Sequence, residues 1–284
     1  MTLVLGLALA AGAFARPEMI VSTEWLAGHL SDANVRIVEF RRADDEHAKG
    51  HIPGARYLSN DALKDLANGP TFLPTKDAFE RTMRALGISN TTRVVAYDDR
   101  GGLYAARLWF VAKVYGFDGV ALLDGHLIKW TKEGRPLATT DATVTPGTFT
   151  AGAPALGWVA TAAQVVDAID AKGTRILDAR TQAEIEGKDL RGIKRGGNIP
   201  SSSALYWEDL MDPELKALKP PDELQALVAA KGLRTSDALI VYCQVGMRAS
   251  FDVFVLHLLG YDHVRNYYGA WEEWGNRDDL PIRK

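Results

Sequence analysis

Ala238-Leu-Ile-Val-Tyr-Cys243-Gln-Val-Gly-Met-Arg248 is the stretch that decides how this chain folds. An apolar run of that length is the pattern of a strand buried on both faces of a parallel sheet, and residues 249–259 read as the helix that follows it. Cys243 then lies at the carboxyl end of a strand and close to a helix N-terminus, where unpaired N–H groups and the helix dipole favour an anion. The thiolate is the reactive form of cysteine, so this position makes Cys243 a candidate nucleophile. The competing reading is a small buried hydrophobe, the usual fate of a free cysteine.

The same order of features runs through the chain twice. Val21-Ser-Thr-Glu-Trp-Leu26 and Val159-Ala-Thr-Ala-Ala-Gln164 each open a capped helix. Strands at 35–39 and 174–178 follow, then Ile52-Pro-Gly-Ala55 and Ile199-Pro-Ser-Ser202. Arg93-Val-Val-Ala-Tyr-Asp98 parallels the Cys243 strand, with helices at 105–115 and 249–259 behind them. Leu123-Asp-Gly125 with Trp130 and Tyr267-Tyr-Gly269 with Trp274 close the two sets. The copies keep a nearly constant offset of roughly 140 residues, the mark of a duplicated domain. Strands alternating with helices predict two α/β units, each an open, mainly parallel sheet flanked by helices, with ligands collecting at the carboxyl ends of the strands. The units are expected at 18–136 and 158–284; residues 137–157, rich in Thr, Pro, Gly and Ala, form the linker.

The copies differ where it matters. Asp98 stands in the first where Cys243 stands in the second, and a carboxylate cannot serve as a sulfur nucleophile, so the first unit is expected to be silent. The second also carries extra residues around Lys188, Arg191, Lys194 and Arg195. A cationic loop there would concentrate anions, although a solvated surface loop explains the same charges.

Composition narrows the functional classes. A chain of 284 residues, 47% hydrophobic and 24% charged, is globular and long enough for about two domains. A net charge of −3 gives no basic field for nucleic acid. One cysteine excludes an internal disulfide framework and the multi-cysteine sites of zinc or iron–sulfur proteins. Arg100-Gly-Gly102 lacks the spacing of a phosphate or dinucleotide loop, and no cofactor is implied. Residues 3–15 are apolar and end in Ala13-Phe-Ala15, which reads as a signal peptide with cleavage after Ala15 and export to the periplasm or medium, against a cytoplasmic alternative. This segment is too short to span a bilayer, and membrane insertion is not expected. His47 and His51, beside Asp44, Asp45 and Glu46, suggest a metal site, but a structural turn is the preferred reading and no metal is assigned.

Taken together, these residues resemble the two-domain rhodanese sulfurtransferases over nearly the whole chain after the leader. The resemblance rests on His51-Ile-Pro-Gly-Ala55, Tyr97-Asp98, Ala105-Ala-Arg-Leu-Trp109 and Leu123-Asp-Gly125 in the first half. In the second it rests on Asp178-Ala-Arg180, Cys243 to Arg248, and Gly269 with Trp271 and Trp274. It implies a catalytic Cys243 that takes a sulfane sulfur from thiosulfate or a related donor, holds it as a persulfide, and passes it to cyanide, a small thiol or a protein thiol.

The residues suit that chemistry. Two displacement steps through a covalent intermediate give ping-pong kinetics. The N–H groups of Gln244, Val245, Gly246, Met247 and Arg248, curled around the sulfur, would form an anion cradle, with Gly246 allowing the turn. Arg248 either binds an oxyanion, orients the loop through a carboxylate such as Asp178, or both. Asp178 and Arg180 resemble the family's loop-supporting pair, and Arg180 is also a candidate substrate contact. The loop is not the Cys-Gly-Ser-Gly of mercaptopyruvate sulfurtransferases, which remain the alternative. It also lacks the Lys and downstream Arg of animal thiosulfate sulfurtransferases, whose places Val245 and Glu184 take. Cysteine phosphatases use Cys-x5-Arg, one residue longer than Cys-x4-Arg here. A non-catalytic binding module fits the first half better than the second.

Overall fold

The computed structural model describes residues 12–41, 44–65, 73–141 and 143–284. Most of the expected leader, residues 1–11, thus lies outside the described residues. Phe14 packs on the core, and the backbone N–H groups of Ala15 and Arg16 donate to Leu258 O at 3.0 and 3.3 Å. Among the described residues, no helix is long and apolar enough to cross a membrane.

Two five-stranded sheets share one plan. The first contains β1 (Ile20–Val21), β2 (Val35–Arg41), β3 (Arg56–Ser59), β4 (Arg93–Tyr97) and β5 (Val120–Leu123), ordered β1-β5-β4-β2-β3. The second contains β6 (Val159–Ala160), β7 (Thr174–Asp178), β8 (Ser203–Ala204), β9 (Ala238–Tyr242) and β10 (Val264–Tyr267), ordered β6-β10-β9-β7-β8. All of these pairings are parallel, and the two orders superpose strand for strand. β4 and β9 are the middle strands, buried along both faces after their first residue, which is why their sequences are uniformly apolar. From β7 the chain turns outward to β8, then returns on the other side to β9. The crevice beyond the carboxyl ends of β7 and β9 is therefore the switch point at which open α/β sheets bind ligands.

Tyrosines at the ends of the middle strands explain the repeated Ile-Pro step. The Tyr97 hydroxyl accepts from Ile52 N at 3.0 Å and the Tyr242 hydroxyl from Ile199 N at 3.2 Å. Each thereby pins the segment entering its β3 or β8 edge.

The domains meet through helices that follow the middle strands. Helix Ala105–Val114 is buried at every position but Lys113, as a helix apolar on all sides must be. Trp109 meets Phe254 of helix Met247–Leu258 edge-on with ring centres 5.2 Å apart, and Phe110 stacks on Tyr268 at 5.8 Å. One continuous apolar core, including Val94 and Leu122 of the first sheet and Leu239 and Val241 of the second, crosses this boundary.

Residues 137–157 form a strap fastened to the first domain. Ala138 pairs antiparallel with His51. Gly147 N donates to Arg84 O at 2.8 Å, Gly152 N to Tyr115 O at 2.8 Å and Ala155 N to Val114 O at 2.7 Å. Phe149 is fully buried against Phe79 and Phe117. Gly147 is obligatory here, because a Cβ would stand 1.9 Å from Ile88 O.

Candidate active site

Cys243 immediately follows β9 and precedes helix Met247–Leu258, which begins two residues earlier than its sequence suggests. The whole loop between strand and helix is therefore Cys243 to Gly246. Gly246 adopts φ +77°, and its carbonyl accepts from Asn266 Nδ2 at 3.0 Å and Ser250 Oγ at 2.8 Å. Trp271 N donates to Cys243 O at 2.9 Å and Glu272 N to Gln244 O at 3.0 Å, so the outward-facing carbonyls are tied to the next loop. The first-turn N–H groups of the helix that follows have no partner within it.

The thiol is fully buried, yet it forms the floor of a cleft of about 630 Å³. Gln244, Val245, Met247 and Arg248 line that cleft with Thr181, Arg191, Trp207 and Glu272. Asn60, Leu103 and Tyr104 of the first domain close it from the other side.

Arg248 is tied to Glu184, not Asp178. Its Nη1 donates to Glu184 Oε2 at 2.6 Å and its Nη2 to Oε1 at 2.8 Å, a bidentate pair with Glu184 almost fully buried. Glu184 also accepts from Thr181 N and Oγ1 at 3.1 and 2.9 Å, completing a capping box on helix Gln182–Ile185. Burial alone would raise the Glu184 carboxyl, but the Arg248 and Thr181 hydrogen bonds outweigh it and hold the group at about 2. For Arg248, burial works against its charge and is overcome by Glu184 and by the proximity of Cys243. The guanidinium is thus fixed, charged and aimed along the loop.

Arg180, expected to contact substrate, does not border the cleft. It is 1% exposed, with Nε and Nη2 on Asp178 at 2.9 and 2.7 Å and Nη2 also on Gly197 O at 2.8 Å. Its guanidinium lies 4.2 Å from the Trp271 ring centre. Asp178 accepts the Tyr242 hydroxyl as well. This cluster holds the ends of β7 and β9 together, which makes Arg180 a support for the loop. Trp207 lines the cleft; Trp271 and Trp274 are core, donating to Arg195 O at 3.1 Å and Pro281 O at 2.8 Å. From the basic insertion Arg191 reaches the cleft, whereas Lys188 pairs with Glu186 and Arg195 donates to Leu280 O and Trp274 O.

The equivalent loop of the first domain is longer, running from Asp98 to Tyr104 before helix Ala105–Val114, and has an anion built in. Asp98 is fully buried and accepts four backbone N–H groups: Arg100 at 2.8 Å and Gly102 at 2.9 Å on Oδ1, Tyr104 at 2.7 Å and Ala105 at 2.9 Å on Oδ2. In the first domain, then, the loop after the middle strand converges its donors on the side chain that occupies the position equivalent to Cys243.

Two matching parallel sheets, with Cys243 in the loop after one middle strand and a self-filled loop after the other, define a tandem α/β protein. The chain belongs to the rhodanese family: the profile described as "Rhodanese-like domain" matches residues 22–133 and 161–277. Among similar proteins, the sulfur carrier protein TtuD of Thermus thermophilus is 33% identical, over 95% of this chain and 98% of its own. A thiosulfate sulfurtransferase of Corynebacterium glutamicum is 35% identical over 95% and 91%. A 3-mercaptopyruvate sulfurtransferase of Escherichia coli K12 is 30% identical over 92% and 96%. The structure of an anaerobic ergothioneine biosynthesis enzyme from Chlorobium limicola superposes with a TM-score of 0.85 over 95% of this chain and 71% of that one. At 21% identity that likeness concerns the fold.

Proposed function

We propose that the protein is a sulfurtransferase that moves a sulfane sulfur from thiosulfate to cyanide or a thiol through a persulfide on Cys243. The observation that carries this reading is the pair of loops: four N–H groups converge on the Asp98 carboxylate, and the equivalent position in the second domain is a thiol facing a cleft. In the first step the Cys243 thiolate attacks the outer sulfur of thiosulfate. The sulfur–sulfur bond of the donor breaks, its electron pair leaves with sulfite, and the new terminal sulfur carries the negative charge. In the second step cyanide or a thiolate attacks that terminal sulfur, and the electron pair of the persulfide bond returns to Cys243. Preorganised N–H donors favour the charged intermediate at no cost of reorganisation. The Arg248 charge, held by Glu184, adds to the same field. Thiosulfate is favoured over 3-mercaptopyruvate because the loop lacks Gly-Ser-Gly after the cysteine.

The test is intact-protein mass spectrometry after incubation with each donor, read beside thiosulfate:cyanide turnover. A gain of one sulfur that cyanide removes is expected with thiosulfate. Cys243→Ser abolishes both the gain and turnover, while Asp98→Asn leaves turnover largely intact and lowers stability by about 1–3 kcal/mol through its unmet N–H donors. Turnover by the serine variant sinks the assignment, a larger gain with 3-mercaptopyruvate moves the donor, and a wild-type protein that gains no sulfur is a binding module.

A further inference from the structure

The fold brings a third residue, Asp141, to the turn that holds His47 and His51. His51 pairs its backbone with Ala138, and this draws the strap alongside helix Asp44–Lys49, placing Asp141 against His47. Ligand atoms of His47, His51 and Asp141 all lie within 4.8 Å of one another. The two imidazoles are buried and stacked, with ring centres 3.8 Å apart and planes 6° from parallel, so one ring turns out of the stack when both lone pairs meet a single ion.

The hydrogen bonds on the far side of each ring decide the tautomer. His51 Nδ1 lies 3.0 Å from His47 O, and a carbonyl only accepts, so Nδ1 carries the hydrogen and Nε2 presents a lone pair. That Nε2 is buried and has no hydrogen-bond partner among the described residues. His47 Nδ1 faces the buried Glu39 carboxylate, which is itself paired with Arg41 at 2.8 Å. This too orients the ring with Nε2 outward, 2.8 Å from Asp141 Oδ1. A carboxylate on one Nδ1 and a carbonyl on the other is the outer-shell pattern that fixes metal-ligating histidines. Asp141 is largely exposed and free to close on an ion, as a tetrahedral ion brings its ligand atoms to roughly 3.3–3.5 Å of one another. A surface cavity of about 520 Å³ lined by Asp44, Asp45, His47, Tyr57, Thr139 and Asp141 gives water access to the position.

We propose that His47, His51 and Asp141 bind Zn²⁺ or a like divalent transition ion in the catalytically silent domain, with one coordination position open to water. Two imidazoles and a carboxylate suit zinc in both donor type and number. The ion joins helix Asp44–Lys49 and His51, two residues beyond it, to the strap, fastening the interdomain segment to the first domain.

The test uses the untagged full chain carrying Cys243→Ser, so that the thiol cannot take the metal. Zn²⁺ is titrated in competition with a chromophoric chelator, and Co²⁺ is used as the visible probe. One equivalent per chain is expected, with a Co²⁺ visible band and no thiolate charge-transfer band. Asp141→Asn and His51→Gln should each weaken binding by about tenfold or more. Asp141 is exposed, so Asp141→Asn also tests the site in a chain whose circular dichroism and, with Cys243 restored, thiosulfate:cyanide turnover match the parent. Saturable binding that is absent, or that both substitutions leave unchanged, overturns the site and leaves His47 as a hydrogen-bonded bridge between Glu39 and Asp141.

Discussion

Each oxygen of Glu184 receives an Arg248 nitrogen, and one of them also caps a helix. This double use gives the pair a measurable signature. The carboxyl falls from an ordinary value near 4.5 to about 2 in the folded protein. A depressed carboxylate stabilises the fold above its unfolded pKa, and that contribution is lost as pH falls through the folded value. The depression corresponds to about 3 kcal/mol. We expect the difference in urea-unfolding free energy between wild type and Glu184→Gln to be full above pH 5 and to shrink steadily towards pH 2; a difference independent of pH would show that the pair is not the cause. Cys243 was legible in the sequence because strand, loop and helix all announce themselves locally. The partner of Arg248 was not, since Glu184 is 64 residues away and its only local sign is the Thr181-x-x-Glu184 capping box. Arg180 misled for a related reason: a motif residue beside a site has the same sequence whether it faces the ligand or, as here, the Asp178 carboxylate and the Trp271 ring.

Strands of this fold are short, but the middle ones are buried on both faces, so β4 and β9 could be read to within a residue of their ends. Edge strands β3 and β8 carried little pattern of their own. They were not read from the sequence: the repeated Ile-Pro step marks the segment that leads into each, but the reason for that step, a tyrosine hydroxyl at the end of each middle strand, emerges only in three dimensions. The loop before helix Met247–Leu258 is shorter than periodicity suggested, because Met247 and Arg248 already have helical geometry. Everything then rests on Gly246, whose φ of +77° is costly for any residue with a Cβ and whose added Cβ would meet the Tyr268 ring at 3.2 Å. Gly246→Ala is expected to cost about 1–2 kcal/mol in thermal or urea unfolding and, by turning N–H groups away from the sulfur, to lower kcat more than it raises KM. An alanine variant with wild-type kcat would mean that the turn does not set the donors.

For the molecule as a whole, duplication was legible and docking was not. Repetition of ordered motifs revealed two units, yet nothing in the sequence distinguishes an apolar helix buried in its own domain from one shared between two. Helix Ala105–Val114 is shared: Trp109 and Phe110 bury against Phe254 and Tyr268 of the second domain. The strap likewise looked like a loose linker by composition, whereas its backbone is bonded along the first domain and its Phe149 is core. A core that crosses the boundary should make the domains unfold together. Calorimetry is expected to give one transition whose calorimetric and van't Hoff enthalpies agree, and Trp109→Ala should lower stability by about 3–5 kcal/mol; two resolved transitions in the wild type would contradict this.

Because Asp98 occupies its own loop with a carboxylate tethered by the chain, the first domain has no vacancy for an anionic donor. A duplicated protein would ordinarily offer two equivalent sites and hence the means for one to influence the other. Under the proposed function this chain has two matching domains and one site. Its saturation with donor is therefore expected to be hyperbolic for a single chain, and any sigmoidal response would have to arise between chains.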